Sequence, residues 1–207
     1  MHLAVKWVYP VGLIAQKDTH DMLPLSALGP RIIILGPSNS GKSTLAVALA
    51  QKLSEKLSQK KQSVLPVHLD QLRHIPNTNW QERPYEDFQN LHDAAIAQDA
   101  WVMDGNYTSL LAQRFDRATG VITLNSNAWF RYIRYVRRTL RNAQDRAGHL
   151  EGGHDRLSWT MTSWIIKTRN NGARNHRLAR ASGNPHVACN TAKELDALYH
   201  AWDLALP

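Results

Sequence analysis

Residues 31–50 constrain this chain more than any other stretch. Arg31-Ile32-Ile33-Ile34-Leu35 is a short apolar run rich in β-branched residues, the pattern of a strand buried on both faces of a parallel sheet. Gly36-Pro37-Ser38-Asn39-Ser40-Gly41-Lys42-Ser43 follows at once and fits G-x-x-x-x-G-K-[ST]. Thr44-Leu45-Ala46-Val47-Ala48-Leu49-Ala50 then opens a helix. Gly36 and Gly41 allow backbone conformations closed to residues with a Cβ. The loop between them can therefore turn its N–H groups inward as an anion nest. The helix N-terminus adds unpaired N–H groups and the positive end of its dipole. On this reading Gly36, Ser38, Asn39, Ser40, Gly41 and Thr44 surround nucleotide phosphates. Lys42 reaches the β- and γ-phosphates, and Ser43 places its hydroxyl on Mg2+.

The rest of the chain alternates strand and helix. The helix over 42–60 repeats Leu45, Leu49, Leu53 and Leu57 on one face. Residues 64–69 read as a second strand ending at Asp70, with Pro66 favouring a strand end or a sheet edge. Residues 71–83 read as irregular. Pro84 fits the first helical position, followed by an apolar stripe of Phe88, Leu91, Ala95 and Ile96. Residues 100–103 make a third strand ending at Asp104-Gly105, then a short helix over 107–115 and a fourth strand over 120–124. A helix over 127–142 places Trp129, Ile133, Val136 and Leu140 on one face. Gly148, Gly152 and Gly153 mark a loop over 143–155, and Leu157, Met161, Trp164 and Ile165 mark another amphipathic helix. A fifth strand is expected over 185–189. Thr191 and Glu194 then form a capping-box pair for a last helix, with Leu195, Leu198 and Trp202 facing inward.

Alternating strands and helices predict an α/β chain: a three-layer αβα P-loop NTPase fold with a five-stranded parallel sheet and a small arginine-bearing lid over about 143–155. Residues 1–30 read as an N-terminal extension and 31–207 as one domain. Ligands of such sheets sit beyond the carboxyl ends of the strands. The loop after strand one, Asp70 after strand two and Asp104 after strand three converge there.

Charge bears on partners. The net charge of +8 is concentrated between Arg131 and Arg180, where the only acids are Asp145, Glu151 and Asp155. Such a field attracts nucleotide phosphates or a nucleic-acid backbone, although most charge runs are solvated helix faces. No apolar run approaches the ~18 residues of a membrane span. Cys189 is the only cysteine, so no intrachain disulfide forms, which suits a cytoplasmic location.

Asp104 ends an apolar strand, where a carboxylate holds Mg2+ through water or simply caps the turn at Gly105. Asp70 either receives a proton or hydrogen bond from a phosphate acceptor or caps the segment that follows. Arg137 and Arg141 share a helical face, and Arg134 shares one with Arg138. Phosphoryl transfer needs positive charge around the moving group more than covalent chemistry. Arg137, Arg138 and Arg141, at the start of a closing loop, are candidates to supply it, alongside Lys42 and Asp70.

At this point the chain resembles a known group, the small P-loop kinases related to adenylate kinase, most closely their DNA topology modulation protein-like branch. The matching residues are Gly36 to Thr44 (GPSNSGKST), His68-Leu69-Asp70, Trp80 with Glu82-Arg83-Pro84, Trp101 to Tyr107 (WVMDGNY), Arg138 to Arg141 (RTLR) and Glu151-Gly152. They span roughly residues 31–170. The resemblance implies ATP and Mg2+ as cofactors, a clamp on ATP by Arg137 and Arg141, and an acceptor site after strand two. It also implies that Arg83 contacts the acceptor's phosphate, with Asp104 and Gly105 at the conserved-type Asp-Gly turn. The Asp-Gly here is followed by Asn106-Tyr107 instead of the Phe-Pro-Arg of adenylate kinases, which leaves the acceptor open.

The first expectation is thus a kinase moving the γ-phosphoryl group of Mg-ATP to a nucleotide, nucleoside or other small molecule. The alternative is a nucleotide-dependent DNA- or RNA-binding regulator, or a plain ATPase, using the basic 131–180 segment. A GTPase ranks third, because no Asn-Lys-x-Asp segment is present.

Overall fold

Strand β1, Arg31–Leu35, lies at the centre of a five-stranded sheet. The computed structural model describes residues 22–60, 63–139, 147–150 and 171–206. The other strands are β2, Pro66–His68; β3, Trp101–Asp104; β4, Gly120–Leu124; and β5, His186–Cys189. Their order is β2-β3-β1-β4-β5, and every pairing is parallel. The fold is therefore α/β with an all-parallel sheet, as the alternating pattern predicts. β2 is shorter than expected. Pro66 begins it on the sheet edge, where a missing N–H breaks no ladder bond.

Among the described residues the helices are α1, Lys42–Leu57; α2, Leu69–Arg73; α3, Tyr85–Ile96; α4, Leu111–Arg117; α5, Ala128–Thr139; α6, Asn171–Ala181; and α7, Ala192–Ala201. The period-2 alternation of the strands sorts their side chains between two cores. Ile32, Ile34, Val102 and Ile122 pack with Leu45 and Leu49 of α1 and with Leu195 and Leu198 of α7. Ile33, Leu35, Met103 and Val121 pack on the opposite face with Leu69, Phe88, Leu111 and Ala179 of α2, α3, α4 and α6. Each fully buried aliphatic side chain contributes about 1.5–3 kcal/mol, which explains why the strands read as unbroken apolar runs. Leu25 and Leu28, in a 3-10 turn before β1, are buried in the α1 core. Among the described residues, no helix is long and apolar enough to cross a membrane.

Several local expectations are corrected. Residues 69–73 form the helix α2 within a stretch expected to end a strand and turn irregular. Pro84 caps α3 one position before its first residue. Leu91 faces solvent, and His92 takes the interior position instead. Trp129 is 64% exposed, while the core-facing residues of α5 include Arg131 and Tyr135. The expected helix at Leu157, Met161, Trp164 and Ile165 lies outside the described residues. The capping pair of α7 forms: Glu194 N–H donates to Thr191 Oγ1 at 3.1 Å, and the Glu194 carboxylate accepts from Asn190 N–H at 2.7 Å.

The strand order positions the site. The chain leaving β1 turns toward β2, and the chain leaving β4 turns the other way toward β5, so a crevice opens between their carboxyl ends. Register does the rest. Ile34 pairs with Asp104, and His68 pairs with the same Asp104 from the other side.

At the far edge, His186 of β5 shares a 2.9 Å hydrogen bond with Thr123 Oγ1 and lies 4.9 Å from the His176 ring. Burial, with help from His176 and Arg180, holds its imidazole down at about 4. Above its unfolded value of 6.5 the ring is neutral in both states. As pH falls below that, the unfolded chain binds the proton first, so folding stability declines until the folded ring also titrates. Urea unfolding at pH 7 and pH 4.5 is expected to show a loss of roughly 1–2 kcal/mol from this residue. His186→Gln should flatten that part of the profile.

Candidate functional site

The loop after β1 is built by its backbone. Asn39 and Gly41 take left-handed conformations, with φ of 61° and 97°. Gly41 ends the loop as the N-cap of α1, which has no side-chain cap and no acid in its first turn, so its positive end is uncompensated there. At the other end, a Cβ on Gly36 would stand 2.8 Å from the Leu124 carbonyl oxygen and 2.9 Å from Ser40 Oγ, so only glycine fits. Ser40 N–H and Lys42 Nζ both donate to the Pro37 carbonyl, at 3.3 and 3.0 Å.

Two arginines of α5 hold the loop from outside. Arg131 Nε donates to the Ser38 carbonyl at 3.0 Å, and Arg134 Nη1 donates to the Ser40 carbonyl at 3.1 Å. In a trans peptide the C=O and the following N–H point in opposite directions. Fixing these two carbonyls toward α5 therefore aims the N–H groups of Asn39 and Gly41 away from it. Arg131 is fully buried, and burial lowers its guanidinium's pKa without removing the charge. Within the loop, Asn39 Nδ2 and Ser40 Oγ are buried and have no hydrogen-bond partner among the described residues. Buried polar atoms without partners are costly, and here they mark a cradle that a polar ligand would satisfy.

Ser43, on the first turn of α1, donates from Oγ to Asp104 Oδ2 at 2.7 Å. Asp104 Oδ1 meets His68 Nδ1 at 2.5 Å. An ionised carboxylate only accepts, so His68 carries its proton on Nδ1. Asp104 is 5% exposed, and both oxygens are satisfied. Of the segment 143–155, residues 147–150 are described, and they lie over this group. A Cβ on Gly148 would meet Ser43 Oγ at 3.0 Å and His68 Cγ at 3.3 Å, and Gln71 Nε2 donates to the His149 carbonyl at 2.8 Å.

The four residues leaving β3 each make a separate contact. Asp104 takes Ser43 and His68. Gly105, with φ of 127°, passes so close to Leu69 that a Cβ would stand 2.8 Å from the Leu69 Cβ. Asn106 pairs its amide with both backbone groups of Gly36, at 3.1 and 3.0 Å, and accepts from Asn175 of α6 at 3.2 Å. Tyr107 donates its hydroxyl to Asp70 Oδ1 at 2.7 Å. Burial, then the Asp70 carboxylate, pushes the Tyr107 phenol well up, so it stays a donor. Beneath them lies the fully buried Arg114. Its guanidinium donates to the carbonyls of Gly105, Asn106 and Tyr107 at 2.8, 2.6 and 2.9 Å. Burial lowers it to about 10, which leaves it charged at neutral pH.

Of the residues named from sequence, Lys42, Ser43 and Asp104 meet around one loop, with Ser38, Asn39 and Ser40 in its wall and Thr44 next on α1. Asp70 joins them through Tyr107. Arg83 is placed elsewhere: its guanidinium binds the carbonyls of Leu72 and His74, at 3.1 and 3.4 Å, within its own hairpin. Arg137 and Arg138 fall on α5, but their side chains, and the whole of Arg141, lie outside the described residues. The sequence reading missed Arg131, Arg114, Asn106, Asn175 and His68. The run Asp104 to Tyr107 was a visible signal for Asn106. Nothing in the spacing announced the others.

If Arg114 braces this corner, Arg114→Met is expected to destabilise the protein by about 3 kcal/mol or more, because buried carbonyls lose a charged donor. Asn106→Ala should cost about 1–2 kcal/mol. Urea unfolding of both variants checks this, and an Arg114→Met cost below that of Asn106→Ala would refute the brace. Comparison with protein-family models and with curated proteins finds no match for this chain.

Proposed function

We propose that this protein is a P-loop kinase, moving the γ-phosphoryl group of Mg-ATP to a small-molecule acceptor. The observation that carries the reading is the Ser43–Asp104 contact beside a glycine loop whose buried polar groups lack partners. A hydroxyl at a helix N-terminus and a strand-end carboxylate, 2.7 Å apart, are the donor pair that a hard cation bridging phosphates uses. The loop's N–H groups and the uncapped end of α1 suit the phosphate anions. Lys42 would exchange the Pro37 carbonyl for the β- and γ-phosphates. Mg2+, held by Ser43 and Asp104, would neutralise charge on the transferring group.

In this reading residues 31–207 form a P-loop domain of three αβα layers, and 143–155 form its lid. Arg137, Arg138 and Arg141 would bring charge to the nucleotide as the lid closes. The turn at 147–150, lying on Ser43 and His68, supports a covering role for that segment. Closure excludes water, which would otherwise take the phosphoryl group. The resemblance to small P-loop kinases read from Gly36–Thr44 and Trp101–Tyr107 points the same way. A nucleotide-handling enzyme with one buried cysteine, its thiol pushed up to about 12 by burial, suits the cytoplasm.

Titration of the full chain with ATP, with and without Mg2+, tests the donor site. Binding should be tighter with Mg2+, and Lys42→Ala should weaken it at least tenfold, about 1.4 kcal/mol. Asp104→Asn should abolish the Mg2+ effect while leaving metal-free ATP binding in place. A wild-type chain that binds no ATP at millimolar concentration would overturn the proposal.

A further inference from the structure

The acceptor side of the site has a chemistry of its own. Asp70 is exposed at the carboxyl end of β2, and its Oδ1 accepts from Tyr107. Its second oxygen has no hydrogen-bond partner among the described residues. Tyr107 is held in a backbone conformation rare outside glycine, φ 22° and ψ 71°. The Arg114 grip on its carbonyl maintains it. Strain of this kind persists where surrounding contacts impose it, and it serves here to bring the phenol onto Asp70.

Aromatic surface continues outward from this pair. The Tyr107 ring packs on Phe88, with centroids 5.2 Å apart, and Phe88 on Tyr85, which is 48% exposed. His74 contacts the Asp70 carbonyl through Nδ1 at 2.9 Å and meets Trp80 edge-on.

The cations of this segment are already committed. Arg73 binds the Glu82 carboxylate and the Arg83 carbonyl and lies over the Phe88 ring. Arg83 donates through Nε and Nη2 to the carbonyls of Leu72 and His74. A phosphomonoester placed here would face the carboxylate of Asp70, and both guanidiniums of this hairpin are turned onto protein oxygens. An alcohol would find an open carboxylate oxygen ready to accept its proton.

From this we infer that the acceptor is an unphosphorylated alcohol, neutral or cationic, whose hydroxyl is received by Asp70 while Tyr107 positions that carboxylate. The inference rests on the kinase reading and names its substrate class. In the step it implies, the acceptor oxygen forms a bond to the γ-phosphorus of ATP. The bond from that phosphorus to the β,γ-bridging oxygen breaks. ADP leaves, and the hydroxyl proton passes to Asp70 and then to water. The products are a phosphomonoester, ADP and one proton. Asp70 touches the reacting hydroxyl, whereas Tyr107 acts through Asp70.

The experiment measures ADP release by the full chain with Mg-ATP and two sets of acceptors. One set is AMP, CMP and UMP. The other is adenosine, uridine, choline, ethanolamine and glucosamine. At least one alcohol of the second set is expected to raise ADP release about tenfold or more, and the monophosphates are not. Asp70→Asn should then lower the stimulated rate by about 100-fold or more, the scale of a lost general base. Tyr107→Phe should lower kcat about tenfold with KM for the alcohol and ATP affinity each within about threefold, the effect of a lost hydrogen bond to a charged group. A merely structural Tyr107 would instead raise KM or weaken ATP binding. ATP binding with stimulation by a monophosphate, or by none of the alcohols, overturns the acceptor assignment and leaves the donor site standing. Failure to bind ATP overturns both.

Discussion

The carboxylate of Asp104 joins the parts of this molecule that matter most. It is almost wholly buried, and an ionised carboxylate taken out of water costs several kcal/mol unless its oxygens are hydrogen-bonded. Ser43 answers one oxygen and His68 the other. Both partners come from elements that only the sheet brings together: α1 after β1, and the end of β2. Because strand side chains alternate, a one-residue slip of β3 would turn Asp104 into the opposite core and bury it without partners. The register of three strands and the position of the loop are thus linked through one acid.

The second constraint is backbone direction. A phosphate-binding loop works only if its N–H groups face one way, and nothing in a glycine-rich segment enforces that unaided. On the proposed function, arginines do it from behind by taking the carbonyls, Arg131 and Arg114 from buried positions and Arg134 from an exposed one. Arg131 and Arg134 grip the loop after β1, and Arg114 grips the segment after β3. A guanidinium is suited to this, since it presents several donors in a fixed plane and keeps its charge when buried. Bound to the Ser40 carbonyl, Arg134 brings a positive charge to the loop after β1.

Much of the scaffold could be read from sequence because it follows from burial. The apolar runs at 31–35, 101–103 and 120–124 became β1, β3 and β4, and the Leu45 to Leu57 stripe became the inner face of α1. What could not be read has a common cause. Apolar side chains alone defined the buried stripe read over 127–142, so it took in Trp129 and left out Arg131. Both assignments were inverted, since a guanidinium bonded to a loop carbonyl is as well satisfied inside as a lone tryptophan is tolerable outside. His68 was read only as part of the His68-Leu69-Asp70 match, with no partner assigned; its partner is 36 residues away, across a strand pairing. Asn106 and Asn175 reach across 69 residues. Arg83 was assigned to an acceptor phosphate by resemblance, and only the hairpin geometry shows its guanidinium turned onto the carbonyls of Leu72 and His74.

The segment Asp104 to Tyr107 carries the last consequence of this design. Four consecutive residues meet, in turn, Ser43 and His68, Leu69 of α2, Gly36 at the start of the loop, and Asp70 of α2. On the proposed function the first and third would serve the donor side and the fourth the acceptor side, with no flexible linker between them. Arg114 holds the last three by their carbonyls, so they move as one body. A shift that carries Asn106 off Gly36 must also carry Tyr107 off Asp70. In a kinase built this way, donor and acceptor groups would keep their relative placement to within the play of one guanidinium. Transfer between two bound molecules requires that constancy, since a misplacement of about 1 Å can cost 100-fold in rate.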